Sequence, residues 1–172
     1  MSTKTLISVE EYLRTSFDDG DREYLDGELV ERNVGELPHG KTQIELGYAL
    51  RNLAVELGLQ VVSEIPVQIT RTRYRVPDLA VWRAGNIGER IPTVPPLLAI
   101  EILSREDRMV RVHEKVEEYL SIGVAWVWVV DPDERRAIVY SRQNPRGELS
   151  DVLRTDDPAI EIPLANVLPQ QT

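Results

Sequence analysis

VPDLAVW (76–82) and PPLLAIEIL (95–103) are the two stretches on which the reading of this chain turns. Both read as buried β-strand, and each carries a single carboxylate. Asp78 follows Pro77 in the first, and Glu101 interrupts an otherwise apolar run in the second. An ionised carboxylate inside such a strand is costly unless a cation or several donors compensate it. Two such acids on successive strands point to a metal site held by a rigid sheet.

Asp78 and Glu101 are 23 residues apart, enough for one strand to leave and its neighbour to return. Period-two alternation puts Asp78 on a face with Val76 and Ala80, and Glu101 on a face with Ala99 and Leu103. If those faces coincide, the carboxylates converge on one divalent cation. Lys115 lies 14 residues beyond Glu101, on a predicted helix leaving the second strand. It flanks the helix's inner stripe, so its side chain can reach back over the strand end. Two acids, a cation and a lysine suit phosphodiester hydrolysis. The metal neutralises the scissile phosphate and lowers the pKa of a bound water, and the ammonium holds that water or stabilises the developing charge. Spacing alone equally permits a structural role, with Asp78 capping a turn, Glu101 paired with an arginine and Lys115 snorkelling from a helix flank.

Around these stretches the chain divides into short elements. Ser8 and Glu11 form a capping-box pattern before the helix SVEEYL, and REYLDGELVE predicts a hairpin turning at Asp26-Gly27. A loop holds Gly35 and Pro38. Leu46, Leu50, Leu53, Ala54 and Leu57 fall at helical spacing and predict a helix over 41–57, stopped by Gly58. Extended stretches follow over 60–69, with Val61, Ile65, Val67 and Ile69 on one face, and over 71–82. A loop over 85–96 feeds the strand at 97–103. Ser104 with Asp107 predicts the start of the next helix, with Met109, Val112, Val116, Tyr119 and Leu120 as its inner stripe and Gly123 as its stop. WVWVV is a buried strand whose Trp126 and Trp128 read as core or interface residues. A turn over 131–134 leads into a strand at 137–140, and residues 141–172 read as loops, short edge strands and a tail. The expected architecture is α/β, a mixed sheet flanked by helices, in a single domain over 1–172.

Composition narrows the chemistry. At 172 residues the chain is long enough to bury roughly two-thirds of its unfolded surface. Its 42% hydrophobic and 28% charged residues are those of an ordinary globular protein. No apolar run approaches the ~18 residues that span a bilayer, and MSTKTLISVEEYL lacks the features of a secretory signal, so a cytoplasmic location and no membrane partner are expected. The absence of cysteine excludes disulfides, thiolate zinc sites and cysteine nucleophiles. With two histidines, a metal would be held by oxygen, favouring magnesium, manganese or calcium. The net charge of -9 disfavours a protein that coats nucleic acid, but local basic surface decides for a nuclease. Two basic clusters are candidates for such surface. Arg71, Arg73 and Arg75 alternate along one predicted strand, and Arg105, Arg108, Arg111 and Lys115 follow the second acid. Arginines balancing nearby acids explain each cluster as well.

The run PDLAVW…PPLLAIEILSREDR…EKVEEYLSIGVAWVWVVDP resembles the Uma family of endonucleases, within the PD-(D/E)xK nuclease superfamily. REYLDGELVE is similar to that family's tyrosine-glutamate hairpin, and ELPHG to its histidine-containing helix entry. The resemblance covers roughly residues 10–140 and implies a restriction-endonuclease-like fold. Carried over, Asp78 is the aspartate of the PD element and Glu101 the acid of the (D/E)xK element. Leu103 stands where the superfamily pattern places lysine. In the Uma-like arrangement the lysine comes from the next helix, and Lys115 in HEKVEEYL matches it. The resemblance implies an endonuclease that uses Mg2+, with Mn2+ able to substitute, and acts on DNA. The alternatives are an inactive binding or assembly module of the same fold and a phosphodiesterase acting on RNA or nucleotides. A homodimer, with the exposed hairpin as interface, is expected only by analogy with restriction enzymes.

Further polar residues are candidates with equally simple structural readings. Glu23 matches the family's acidic position near the N-terminus and is either an outer metal ligand or a solvated hairpin carboxylate. His39 stands near a helix N-terminus, where phosphate is favoured, and Gln43 lies one turn later. Gln68 lies opposite the apolar face of its strand and is placed near the site, with exposure beside Glu64 the simpler alternative. His113 is expected on the solvated side of its helix.

Overall fold

The computed structural model describes residues 6–18, 22–33, 35–85, 87–88 and 90–170. Turn and cap chemistry set most element boundaries. The first helix, α1 (Val9–Arg14), begins where the Ser8 hydroxyl accepts the Glu11 N–H at 3.1 Å. Strands β1 (Arg22–Leu25) and β2 (Glu28–Glu31) form the predicted hairpin. Asp26 and Gly27 both take positive φ, 52° and 97°, the twist a two-residue hairpin turn demands.

Helix α2 (Leu37–Leu57) starts four residues before the predicted position. Pro38 lies in its first turn, where a missing N–H costs nothing, so this proline opens the helix. Gly58 ends it in the left-handed region at φ 62°.

The two long stretches predicted over 60–82 are four strands: β3 (Leu59–Ser63), β4 (Val67–Thr70), β5 (Arg73–Arg75) and β6 (Leu79–Arg83). Glu64 at φ 52°, followed by Pro66, breaks the first stretch. Val61 therefore packs with α2, while Ile65, Val67 and Ile69 pack on the other side of the sheet. A turn at Arg71-Thr72 and the Val76-Pro77 segment break the second stretch, so only Arg73 and Arg75 share a strand.

Strand β7 (Leu98–Ile102) follows the loop, and then α3 (Met109–Ser121), whose cap is Arg108, four residues later than Ser104 implied. Ser104 and Asp107 close a separate turn. The Ser104 N–H donates to Asp107 Oδ2 at 2.7 Å, and the Asp107 N–H to the Ser104 carbonyl at 2.9 Å. The remaining strands are β8 (Trp126–Asp131), β9 (Arg136–Ser141), β10 (Glu148–Leu149), β11 (Val152–Asp156) and β12 (Ala159–Pro163).

A six-stranded sheet in the order β10-β9-β8-β7-β6-β3 carries the architecture. It is mixed, as the sequence implies: β7 and β8 run parallel with α3 as their crossover, and the other pairs are antiparallel. A second sheet, β2-β1-β5-β4, is joined to α1 through Tyr12, Tyr24 and Tyr74. Tyr12 and Tyr24 stack with ring centroids 5.1 Å apart.

Alternation along the central strands makes two cores. Leu98, Ile100 and Ile102 of β7 face α2, where Leu46, Leu50 and Ala54 are buried. Ala99, with Ala80 and Trp82 of β6, faces Val112, Val116 and Tyr119 of α3. After residue 140 come loops and short strands, as expected: β10 at the edge of the main sheet, and β11 with β12 as a two-stranded sheet whose inner face is buried. Leu153, Ile160 and Ile162 of the β11–β12 hairpin, then Leu164, Val167 and Leu168, complete the α2-side core. Each such aliphatic side chain contributes ~1.5–3 kcal/mol on burial. Among the described residues no helix is long and apolar enough to cross a membrane.

Candidate active site

The register of the sheet brings the two acids together. Leu79 of β6 pairs with Ile100 of β7, antiparallel, so Asp78 and Glu101 stand opposite each other one step further along. Both face the α3 side, and both are buried, at 2% and 6% exposure.

Asp78 is held from several directions. Its Oδ2 accepts the Ile102 N–H at 2.6 Å. Its Oδ1 accepts from Arg32 Nη2 and lies 3.3 Å from His39 Nε2. Its carbonyl accepts from Gln43 Nε2 at 3.1 Å and from the Glu64 N–H at 3.3 Å. Burial pushes the carboxyl pKa up, but His39, Arg32 and the Ile102 N–H outweigh it, and the group lies below the usual carboxylate range. The same contact raises the His39 pKa, against burial and the Arg32 charge.

Glu101 shows the opposite balance. Tyr119 Oη donates to its Oε1 at 2.7 Å and Lys115 Nζ to its Oε2 at 3.0 Å. Burial nevertheless raises its pKa to about 7, with Asp78 and Glu23 adding to the rise and Lys115 and Tyr119 opposing it. The Lys115 amine also lies 2.8 Å from Glu23 Oε1. Burial lowers its pKa, but Glu101 and Glu23 more than offset this, so the amine stays charged.

Glu23 is itself buried, and its Oε2 lies 2.7 Å from Arg75 Nη1. Arg75 Nε in turn donates to Glu118 Oε2 at 2.5 Å. Charges thus alternate through Glu101, Lys115, Glu23, Arg75 and Glu118, tying β7, α3, β1 and β5 into one unit. Removing a cationic member of such a buried chain is costly, because it leaves buried carboxylates uncompensated.

These groups open onto a cavity of about 700 Å3, which Arg32, His39, Asp78, Glu101 and Lys115 line. Leu103 forms part of the wall, and the Lys115 amine reaches the cavity from α3. Arg108 and Arg111 line the cavity from α3 with no ion pair among the described residues. Arg73 and Arg105 balance acids: Arg73 meets Asp26, Glu114 and Glu118, and Arg105 meets Glu36 and Asp133.

The remaining candidates separate. His39 sits within the first turn of α2 and reaches the site. Gln43 braces the Asp78 backbone. Gln68 is exposed on β4 opposite Tyr74 and does not line the cavity, because the break after Ser63 separates β4 from the central sheet. His113 is exposed, as expected, with its ring edge toward Tyr140. Trp128 is core, donating from Nε1 to the Arg154 carbonyl at 3.1 Å.

Two contributors escape the sequence reading. Tyr119 sits on the inner stripe, one turn beyond Lys115, and that i, i+4 spacing was the available signal. Arg32 directly follows β2 with no local pattern to mark it.

The donor set fits a hard divalent cation in kind. Asp78 and Glu101 supply carboxylate oxygens side by side, and burial, with Asp78 and Glu23 nearby, raises the Glu101 pKa. Among the described residues no group of three or more histidine or acidic side chains stands in metal-ligating arrangement, since Lys115 separates Glu23 from Glu101 and Arg32 covers Asp78.

Comparisons with known proteins bear on the fold and the family. Among solved structures, a putative nuclease belonging to DUF820 from Anabaena variabilis matches with a TM-score of 0.81 at 21% identity, over 94% of this chain and 97% of that one. At that identity the likeness is one of fold. The DrdV–DNA complex, solved by cryo-electron microscopy, matches with a TM-score of 0.41 at 12% identity, over 71% of this chain and 10% of that one, and carries no argument. No curated protein matches. Residues 9–170 match the Uma2 family, described as putative restriction endonuclease. With that match spanning nearly the whole sequence, and with the restriction-endonuclease-like α/β fold around the paired acids, the chain belongs to the Uma2 family.

Proposed function

We propose that this protein is a divalent-metal-dependent endonuclease that hydrolyses phosphodiester bonds of DNA, with Mg2+ as cofactor and Mn2+ able to replace it. The observation that carries the reading is the juxtaposition of buried Asp78, directly before β6, and buried Glu101 on β7, facing one cavity, with Lys115 Nζ 3.0 Å from Glu101. Asp78 and Glu101 hold the cation, which when bound neutralises the scissile phosphate and acidifies a water. Because Lys115 stays charged between two carboxylates, it acts as an electrostatic group and not as a base. It positions the water or stabilises charge building on the phosphoryl oxygens. Glu23 holds the Lys115 amine in place, and Arg75 holds Glu23. His39, at the start of α2, orients Asp78 and faces the phosphate side of the cavity.

The test is cleavage of plasmid, linear and single-stranded DNA in Mg2+ and Mn2+ by wild type, Asp78→Asn, Glu101→Gln and Lys115→Met. All three variants lose activity while remaining folded. Wild-type cleavage by Glu101→Gln would sink the assignment, and parallel RNA and small-phosphodiester substrates identify the substrate class.

A second reading, a non-catalytic module of the same fold, draws on the compensation of the site by its own cations. Arg32, Lys115 and Arg75 face Asp78, Glu101 and Glu23. Titration calorimetry with Mn2+ separates the two, since a scaffold has no need to bind metal through Asp78.

A further inference from the structure

Arg32 lies on the carboxylate oxygen that a metal would need. Asp78 Oδ2 gives one lone pair to the backbone N–H of Ile102 at 2.6 Å, a fixed donor, whereas the donors on Oδ1 are side chains that can move aside for a cation. Arg32 Nη2 donates to that oxygen, with His39 Nε2 3.3 Å from it. A divalent ion and a guanidinium on one oxygen repel each other and compete for its lone pairs, so both do not remain there. Arg32 has a second acceptor within reach, because its Nη1 lies 3.6 Å from Glu64 Oε1, and Glu64 is largely exposed. The guanidinium thus bridges the two acids, and Glu64 offers a carboxylate at the outer edge of the site on which it can stay once Asp78 is given up. Its planar fork of donors also matches the oxygens of a phosphate diester, which a lysine at this position would meet only as a point charge.

We propose that Arg32 is an exchange residue that holds Asp78 Oδ1 in the metal-free protein, yields it to the divalent cation, and then binds a non-bridging oxygen of the DNA phosphate. The assignment rests on the metal-site reading of Asp78 and adds a positioning residue that discriminates between metal-free and metal-loaded states. It differs from a structural ion pair in a definite way. A structural pair would be needed equally in both states, whereas here Arg32 opposes metal binding and favours substrate binding.

Mn2+ binding without DNA, measured by calorimetry on the full chain, tests the first half. Arg32→Met removes the competitor and tightens Mn2+ on the order of tenfold, the size of one charge-assisted hydrogen bond, while Asp78→Asn abolishes binding. Arg32→Lys, which keeps the charge, stays near wild type, and thermal unfolding checks that each variant is folded. The second half is read from affinity for a short DNA duplex in Ca2+, where Arg32→Met binds on the order of tenfold more weakly. Unchanged Mn2+ affinity in Arg32→Met, with binding lost in Asp78→Asn, overturns the exchange role and leaves the metal site standing. Wild-type Mn2+ affinity in Asp78→Asn overturns the metal site and the exchange role with it.

Discussion

Replacing Glu101 by glutamine should stabilise the metal-free protein at alkaline pH while abolishing its activity. The carboxyl is buried and its pKa rises from 4.5 to about 7, because burial and the charges of Asp78 and Glu23 exceed what Lys115 and Tyr119 supply. The folded protein therefore binds this proton more tightly than the unfolded chain. Between pH 4.5 and about 7 stability falls as pH rises, by about 1.4 kcal/mol per unit. Above about pH 7 the full penalty of ~3 kcal/mol is present, and below pH 4.5 it is absent. Glutamine has no proton to lose and can still accept from Tyr119, so it removes the penalty. The lost attraction to Lys115 is already contained in this balance, since it is one of the contributions that hold the pKa down to about 7, and Lys115 keeps Glu23 at 2.8 Å. The expected net is a stabilisation of about 1–3 kcal/mol at alkaline pH that disappears toward low pH. Urea unfolding of both proteins in EDTA, from about pH 5 to about pH 8.5, measures it. A variant less stable than wild type at the alkaline end, or a difference that does not change with pH, would refute the reasoning. Saturating Mg2+ should close the gap from the other side. A ligand at 100 times its Kd stabilises the native state by about 2.7 kcal/mol, and wild type alone keeps the ligand set.

Three more outcomes follow from named contacts. Lys115→Met leaves Glu101 and Glu23 buried with less compensation, which pushes the Glu101 pKa further up and costs about 3–5 kcal/mol at neutral pH, measurable by denaturant titration. Ile160→Ala, in the β11–β12 hairpin, destabilises by about 2–5 kcal/mol because the side chain is core, whereas in a solvated tail the change would be silent in thermal unfolding. Gln68→Ala leaves DNA cleavage within about twofold of wild type, as befits an exposed residue outside the cavity, and a loss comparable to that of Lys115→Met would restore it to the site.

The sequence by itself determined the local grammar of this protein. The hairpin at Asp26-Gly27, the stop at Gly58, the inner stripe of α3 and the buried strand around Glu101 each follow from φ preferences and periods of two or 3.6 residues, which need no distant partner. The period-two argument gave each acid a face within its own strand, and the register of β6 and β7 makes the two faces coincide. Lys115 was legible because its helix follows the Glu101 strand directly, and a single crossover returns it to that strand's end. Breaks were less legible: Glu64, Pro66 and Pro77 divided stretches whose composition still read as continuous strand, since a propensity average does not register one left-handed residue or one missing N–H. What only the tertiary structure decided is how the charges pair. Arg32 meets Asp78 across 46 residues of sequence, and Arg75 meets Glu23 across 52. The C-terminal hairpin becomes core for the same reason, because α2 leaves one side of the sheet incompletely covered and only chain closure brings the hairpin there. Such contacts depend on distances fixed by the whole fold, and a residue such as Arg32 carries no local sign of the acid it will meet.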